Sequence, residues 1–178
     1  MPDPKSIKVM LTVGNKVVYP SRGPCIVGAI VQKMIGDLPV TFYQLRVLDD
    51  GGGDVFIPVD KVNSVGIRQL LRKTDIPQLL NRLGERTQAA DDHRQRASDN
   101  SKLLASGSPF GLAQIVESLT ELGETKALSS NDRKVLERAR RLLVCEMSEV
   151  IGVTKEEAEG RLDQAVSAGR RQASTVAG

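Results

Sequence analysis

The stretch Val13-Gly14-Asn15-Lys16-Val17-Val18-Tyr19-Pro20, followed at once by Ser21-Arg22-Gly23, commits the first part of this 178-residue chain to a β-hairpin. Gly14 to Lys16 reads as a turn leading into a strand, Val17 to Tyr19 as the strand, and Pro20 to Gly23 as a tight turn whose glycine can take positive φ. A second strand should begin near Cys25, where a β-branched run extends to Lys33. Val40 to Leu48 alternates in part and contains two aromatics, and Asp54 to Val59 is short and closed by Pro58. Gly36-Asp37 and Asp49 to Gly53 supply turns, and Ser64 to Arg68 completes a set of five short strands. The expectation is a small twisted β-barrel of SH3 or Tudor type. Such a unit has little room for a deep active site, but its exposed strand edges can accept a strand from another protein.

Composition then changes. Tyr19, Phe42, Tyr43 and Phe56 all precede Leu71, whereas Phe110 is the only aromatic in the remainder, which is rich in Ala, Leu, Arg and Glu. The expected division is therefore a barrel over residues 1–72, a helical domain over 73–170 and a C-terminal tail over 171–178, an α+β two-domain chain. Thr154-Lys155-Glu156-Glu157 is a capping box, and Ser108-Pro109 places an N-cap before a proline suited to the first helical position. Ser129 or Ser130 precedes a run in which Val135, Leu136, Ala139, Leu142, Leu143, Met147 and Val150 recur at helical spacing. With helices over Thr74 to Leu83, His93 to Leu104 (ending at Ser106-Gly107) and Pro109 to Leu122, five helices should pack as a compact bundle.

Cys25 and Cys145 are the only cysteines, one in each presumed domain, so a disulfide framework is not expected and a reducing, cytoplasmic setting is. No apolar run approaches the roughly 20 residues of a membrane span, and Met1-Pro2-Asp3-Pro4 lacks the form of a signal peptide. The net charge of +3 and pI near 9.0 suit an anionic partner without requiring one.

Several segments carry a family likeness. The Val-Gly, Val-Val-Tyr-Pro and Gly pattern of the hairpin resembles the opening of CarD-like bacterial transcription factors, whose first domain is shared with transcription-repair coupling factors. Leu103-Leu104-Ala105-Ser106-Gly107, Leu112 to Val116, and Leu128-Ser129 running into Arg133-Lys134, Leu136, Ala139-Arg140 and Leu142 to Glu146 are similar to the helical domain of the same family. The likeness spans about Leu11 to Val166. It implies that the barrel binds the β subunit of RNA polymerase and that the helical domain contacts promoter DNA at the upstream edge of the melted bubble, changing open-complex lifetime without catalysis. The contacts it implies for polymerase are Lys33, Phe42, Tyr43, Gln44, Val55, Phe56 and Ile57. Alternation leaves open whether Phe56 points outward or into the core, because Val55 and Ile57 are also apolar.

For DNA, Lys134, Arg138 and Arg141 fall at i, i+4 and i+7, so three cations share one face opposite the apolar stripe. The same pattern suits an ordinary solvated face, with Glu137 and Arg141 as an i, i+4 pair. Lys126, Arg94 and Arg96 extend the candidate surface, and contacts of this kind position a protein on DNA without selecting a sequence. Family members usually carry a Trp wedge at the start of the second helix. Aligned through Gln95-Arg96-Ala97 and Asn100, that position is His93, and Ser98 stands where some relatives are basic. His offers less apolar area against an unstacked base step than Trp does.

No enzyme is expected. Gly51-Gly52-Gly53 has no following Lys-Ser/Thr and sits between strands, Cys145 lies among apolar helix positions, and the carboxylates read as scattered on helical surfaces without an apolar pocket. No cofactor or metal is expected, the chain is expected to be a monomer, and no ATPase motor follows the barrel. The competing reading is a protein adaptor that uses barrel edge and bundle without touching DNA.

Overall fold

Five antiparallel strands form from the residues before Leu70 because their apolar side chains alternate and their turns fall at Gly and Asp. The computed structural model describes residues 10–86 and 88–176, and the chain separates into two compact units between Leu70 and Leu71. Met1 to Pro4 and positions 177–178 of the expected tail lie outside the described residues.

In the first unit, strands β1 (Lys16–Tyr19), β2 (Gly23–Ile35), β3 (Leu38–Val47), β4 (Asp54–Pro58) and β5 (Arg68–Gln69) form one sheet in the order β4-β3-β2-β1-β5. Among the described residues no ladder joins β4 to β5. β2 and β3 make a long hairpin closed by Gly36-Asp37, with Ile35 opposite Leu38 and Gly36 at φ +62°, a conformation that a side chain would strain. One extra residue in β2 breaks the ladder: Val27 faces Leu45, but the next pair is Ile30 with Tyr43. This is a β-bulge. Leu11, Val17, Cys25, Val27, Tyr43, Leu45, Ile57, Val62 and Ile67 form the core on one side of the sheet.

The fifth strand differs from expectation. Val62–Val65 forms a short helix, α1, ending on left-handed Gly66, and only Arg68–Gln69 pairs with β1. The β-branched residues of Val62 to Val65 favour a strand locally, but Val62 and Ile67 reach the core from opposite ends of the turn.

The second unit contains helices α2 (Ile76–Gly84), α3 (His93–Ser106), α4 (Pro109–Thr125), α5 (Ser130–Ile151) and α6 (Lys155–Val176). Residues 171–176 thus continue α6 where a tail was expected, since nothing in Arg170 to Val176 interrupts a helix. The N-termini of α3 to α6 each have a side-chain oxygen acceptor: Asp92 for Arg94 and Gln95, Ser108 for Gly111, Ser129 for Asp132 and Thr154 for Glu157. Such a cap contributes about 1 kcal/mol. α2 has no side-chain cap and starts with Pro77 in its first turn. Leu79, Leu83, Ile115, Leu119, Leu143, Met147 and Leu162 fill the centre. α2 meets α6 through glycines, so closely that a Cβ at Gly169 would stand 1.9 Å from the Gly84 carbonyl oxygen. Arg140 of α5 bonds Glu159 at 3.1 Å and Asp163 at 2.7 Å on α6.

Candidate protein and nucleic-acid interfaces

Strand register divides the candidate polymerase contacts between two faces. Residues paired across an antiparallel ladder share a face, and successive residues alternate. Gln44 lies opposite Phe56, Phe42 opposite both Pro58 and Val31, and Lys33 opposite Val40. These positions face away from the core. Phe56 is 40% exposed, and the Lys33 ammonium lies 3.8 Å from its ring centroid, a cation–π contact. Gln44 Nε2 donates to Asp54 Oδ2 at 2.7 Å, and Arg46 lies 3.8 Å from the same carboxylate. Lys33, Phe42, Gln44 and Phe56 are therefore neighbours on one surface. Tyr43 and Ile57, at 2% and 3% exposure, are core residues, and Val55 packs against that core. The side chains of Tyr43 and Ile57 fill the hydrophobic interior and are not available as the contacts expected of them, while Val55 is half-buried.

The bulge is what brings Lys33 to Phe56. Before it, odd-numbered β2 residues such as Cys25 and Val27 face the core; after it, the phase inverts and Lys33 faces outward.

In the helical unit, His93 and Arg94 are exposed in the first turn of α3. Lys126 is exposed just beyond α4, and Lys134, Arg138 and Arg141 are exposed along α5, opposite buried Ala139, Leu142 and Leu143. Arg96 does not belong with them. It is 6% exposed, its Nη2 lies 3.0 Å from Asp132 Oδ2, and its Nη1 donates to the Ala90 carbonyl at 2.8 Å. A guanidinium committed in this way has no phosphate-facing donor to offer. Burial alone would raise the Asp132 carboxyl, but the Arg96 and Ser129 hydrogen bonds outweigh it and hold it below the usual range.

Asp92 is held ionised more firmly than an ordinary aspartate by the amides of Gln95 and then Arg94. Together with Asp91 it places two carboxylates beside His93 and Arg94. These two carboxylates oppose the positive charge of Arg94 at the start of α3.

The expectation of carboxylates without apolar pockets fails. Glu117 and Glu146 are 2% and 1% exposed. Glu146 Oε1 accepts the Leu71 N–H at 2.9 Å. Burial pushes Glu117 up to about 7, with Arg170 and Arg86 opposing and Glu121 and Glu124 assisting. Cys25 is likewise pushed up to about 11 by burial, which leaves its thiol protonated and unreactive at neutral pH.

Two family models match, in order along the chain: the CarD-like/TRCF RID domain over residues 11–71 and the CarD C-terminal domain over residues 78–163. The chain belongs to the CarD-like family. It is 27% identical over 152 residues to "Putative transcription factor YdeB" of Bacillus subtilis (strain 168), covering 83% of this chain and 97% of that protein. The solution structure of the 72-residue N-terminal domain of Myxococcus xanthus CarD is 38% identical over 36% of this chain and 84% of that one, with a TM-score of 0.29. Membership places the chain among transcription regulators of the CarD type, a family of transcription factors. No helix among the described residues is long and apolar enough to cross a membrane.

Two features of this CarD-like chain escaped the sequence reading. The spacing of Ser129-Ser130-Asn131-Asp132 is that of a cap and its N3 acid, which marks Asp132 as a helix-start residue but carries no sign of its pairing with Arg96. Arg133, exposed beside Lys134, donates to the Leu128 carbonyl at 2.9 Å and adds a cation to the start of α5. Its adjacency to Lys134 was the available sign.

Proposed function

We propose that this protein is a transcription-initiation regulator that binds the β subunit of RNA polymerase through the outer face of its sheet and touches promoter DNA through its helical unit, changing the lifetime of the open complex. The observation that carries the reading is the segregation of Lys33, Phe42, Gln44 and Phe56 onto one exposed face, within a segment matching CarD-like/TRCF RID domains, which bind RNA polymerase. Phe56 supplies apolar area and Lys33 a charge already desolvated on one side, the combination that forms interface anchors. On the helical side, Lys134, Arg138 and Arg141 supply sequence-independent phosphate contacts. His93 supplies a small apolar and hydrogen-bonding face, in place of a broad wedge. Acting this way the protein works as a monomer and needs neither cofactor nor catalytic group.

The test is a mobility shift on forked promoter DNA, with and without polymerase, over a series of salt concentrations. Binding should weaken steeply with salt, and Lys134→Ala with Arg138→Ala should reduce the logarithmic slope by about 2, since each lost phosphate contact removes about 0.9. Phe56→Ala should abolish capture of the β subunit and leave weak DNA binding by the protein alone unchanged. Absence of DNA binding, with and without polymerase, would reduce the protein to an adaptor that does not touch DNA, and an unchanged slope in the double variant would remove Lys134 and Arg138 from the contact.

A further inference from the structure

We propose that Arg96 is a positioning residue which fixes the DNA-facing start of α3 to the start of α5, an inference that rests on the DNA-contact reading above. Its guanidinium is used on both sides. Nε and Nη2 reach Asp132 Oδ1 and Oδ2 at 3.3 and 3.0 Å. Nη1 donates to the carbonyls of Ala90 and Asp91, at 2.8 and 3.4 Å. Those carbonyls belong to the irregular segment immediately before Asp92, whose carboxylate caps Arg94 and Gln95 at 2.7 and 2.9 Å. His93 thus sits between two anchored points: its preceding backbone is held by Arg96, and its own helix end by Asp92.

Asp132 is fixed in turn. Its N–H donates to Ser129 Oγ at 3.0 Å, and the Ser129 hydroxyl donates back to Oδ2 at 2.8 Å. One carboxylate therefore serves the cap of α5 and the anchor of α3. Two residues further along α5 stands Lys134, so the fork sets where His93 lies relative to the first cation of the basic stripe.

Stability is a poor explanation for such a pair. A buried ion pair can often be replaced by apolar residues of similar volume without loss of stability, whereas a fork engaging two helix starts specifies one arrangement of them. That distinction makes the assignment testable. The double variant Arg96→Met with Asp132→Leu keeps volume and removes the uncompensated charge, but releases the carbonyls of Ala90 and Asp91. Arg96→Lys keeps the charge facing Asp132 but has a single ammonium in place of the fork, and serves should the double variant not fold.

Three quantities are read on the full-length protein: cooperative melting, hydrogen exchange of the amides from Asp92 to Gln95, and the lifetime of heparin-challenged promoter complexes with polymerase. The expected result is retained cooperative melting, faster exchange at those amides, and a shortened lifetime. The decisive reading is a double-mutant cycle. His93→Ala should shorten the lifetime in the parent protein and add nothing in either Arg96 background, because a His93 no longer held in place has no contribution left to lose. Unchanged exchange, or a full His93→Ala effect in those backgrounds, overturns the positioning role and leaves the DNA reading standing. A silent His93→Ala in the parent, together with silent Lys134→Ala and Arg138→Ala, overturns the DNA reading and this inference with it.

Discussion

The interiors of the two units are built from different materials. The sheet unit's core is apolar apart from one phenol and one thiol, and among its described residues no charged side chain is buried. The helical unit buries Arg96, Asp132, Glu117 and Glu146 among its leucines. An apolar core tolerates change in proportion to volume lost, whereas a core containing charges depends on partners being present at specific atoms. The helical unit should therefore be the one that responds to single-atom chemistry and to pH.

The sharpest way to break this contrast is Arg96→Met alone, which leaves Asp132 buried without its cation. A loss of about 3–5 kcal/mol is expected. Differential melting of full-length protein should register it in the helical signal and not in that of the sheet. Gly169→Ala follows, because its methyl would collide with the Gly84 carbonyl; about 2–3 kcal/mol should be lost as α2 and α6 are forced apart. Chemical denaturation measures both, and parent-like midpoints would show that the helical core yields more easily than its packing implies.

Glu117 gives the pH arm of the comparison. The folded chain holds this proton up to about pH 7, whereas the free carboxyl loses it near 4.5. Between those values the folded state binds more protons than the unfolded state, so this group's contribution makes stability fall as pH rises. Glu117→Gln should leave stability at pH 4 unchanged and raise it at pH 8 by about 3 kcal/mol. A pH profile of denaturation midpoints for parent and variant decides it, and parallel profiles would mean that Arg170 and Arg86 fully compensate the buried charge. The smallest stability change is expected on the other unit's surface. Phe56→Ala should cost less than about 1 kcal/mol, while capture of polymerase β is lost. A large fall in melting temperature would assign Phe56 to folding instead of recognition.

The same contrast governs what the sequence revealed. Strands β1 to β4 were readable because turns at Gly23 and Gly36-Asp37 and β-branched runs act locally, and the helix starts were readable because Ser108, Ser129 and Thr154 are local acceptors. Arg96 misled because an arginine in a polar first turn looks solvent-facing; only the fold brings Asp132, 36 residues away, to meet it. Glu117 was hidden for the same reason, as burial on α4 depends on α5, α2 and α3 packing against it. In the sheet, Lys33, Phe42, Gln44 and Phe56 were named as candidates, but Tyr43 and Ile57 were named with them. Separating the two sets required the register of three strands and the position of the bulge, none of which a run of apolar residues encodes.

That bulge makes the length of β2 a matter of parity. Deleting Gly28 or Ala29 would remove the extra residue and leave an unbroken ladder with Lys33 still opposite Val40 on the outer face. Deleting both would invert every later residue, turning Lys33 inward away from Phe56 and bringing Gln32 and Met34 to the outer face. A relative lacking one residue here should therefore keep its cation outward in a regular ladder, whereas one lacking two should carry its outward cation at the neighbouring position.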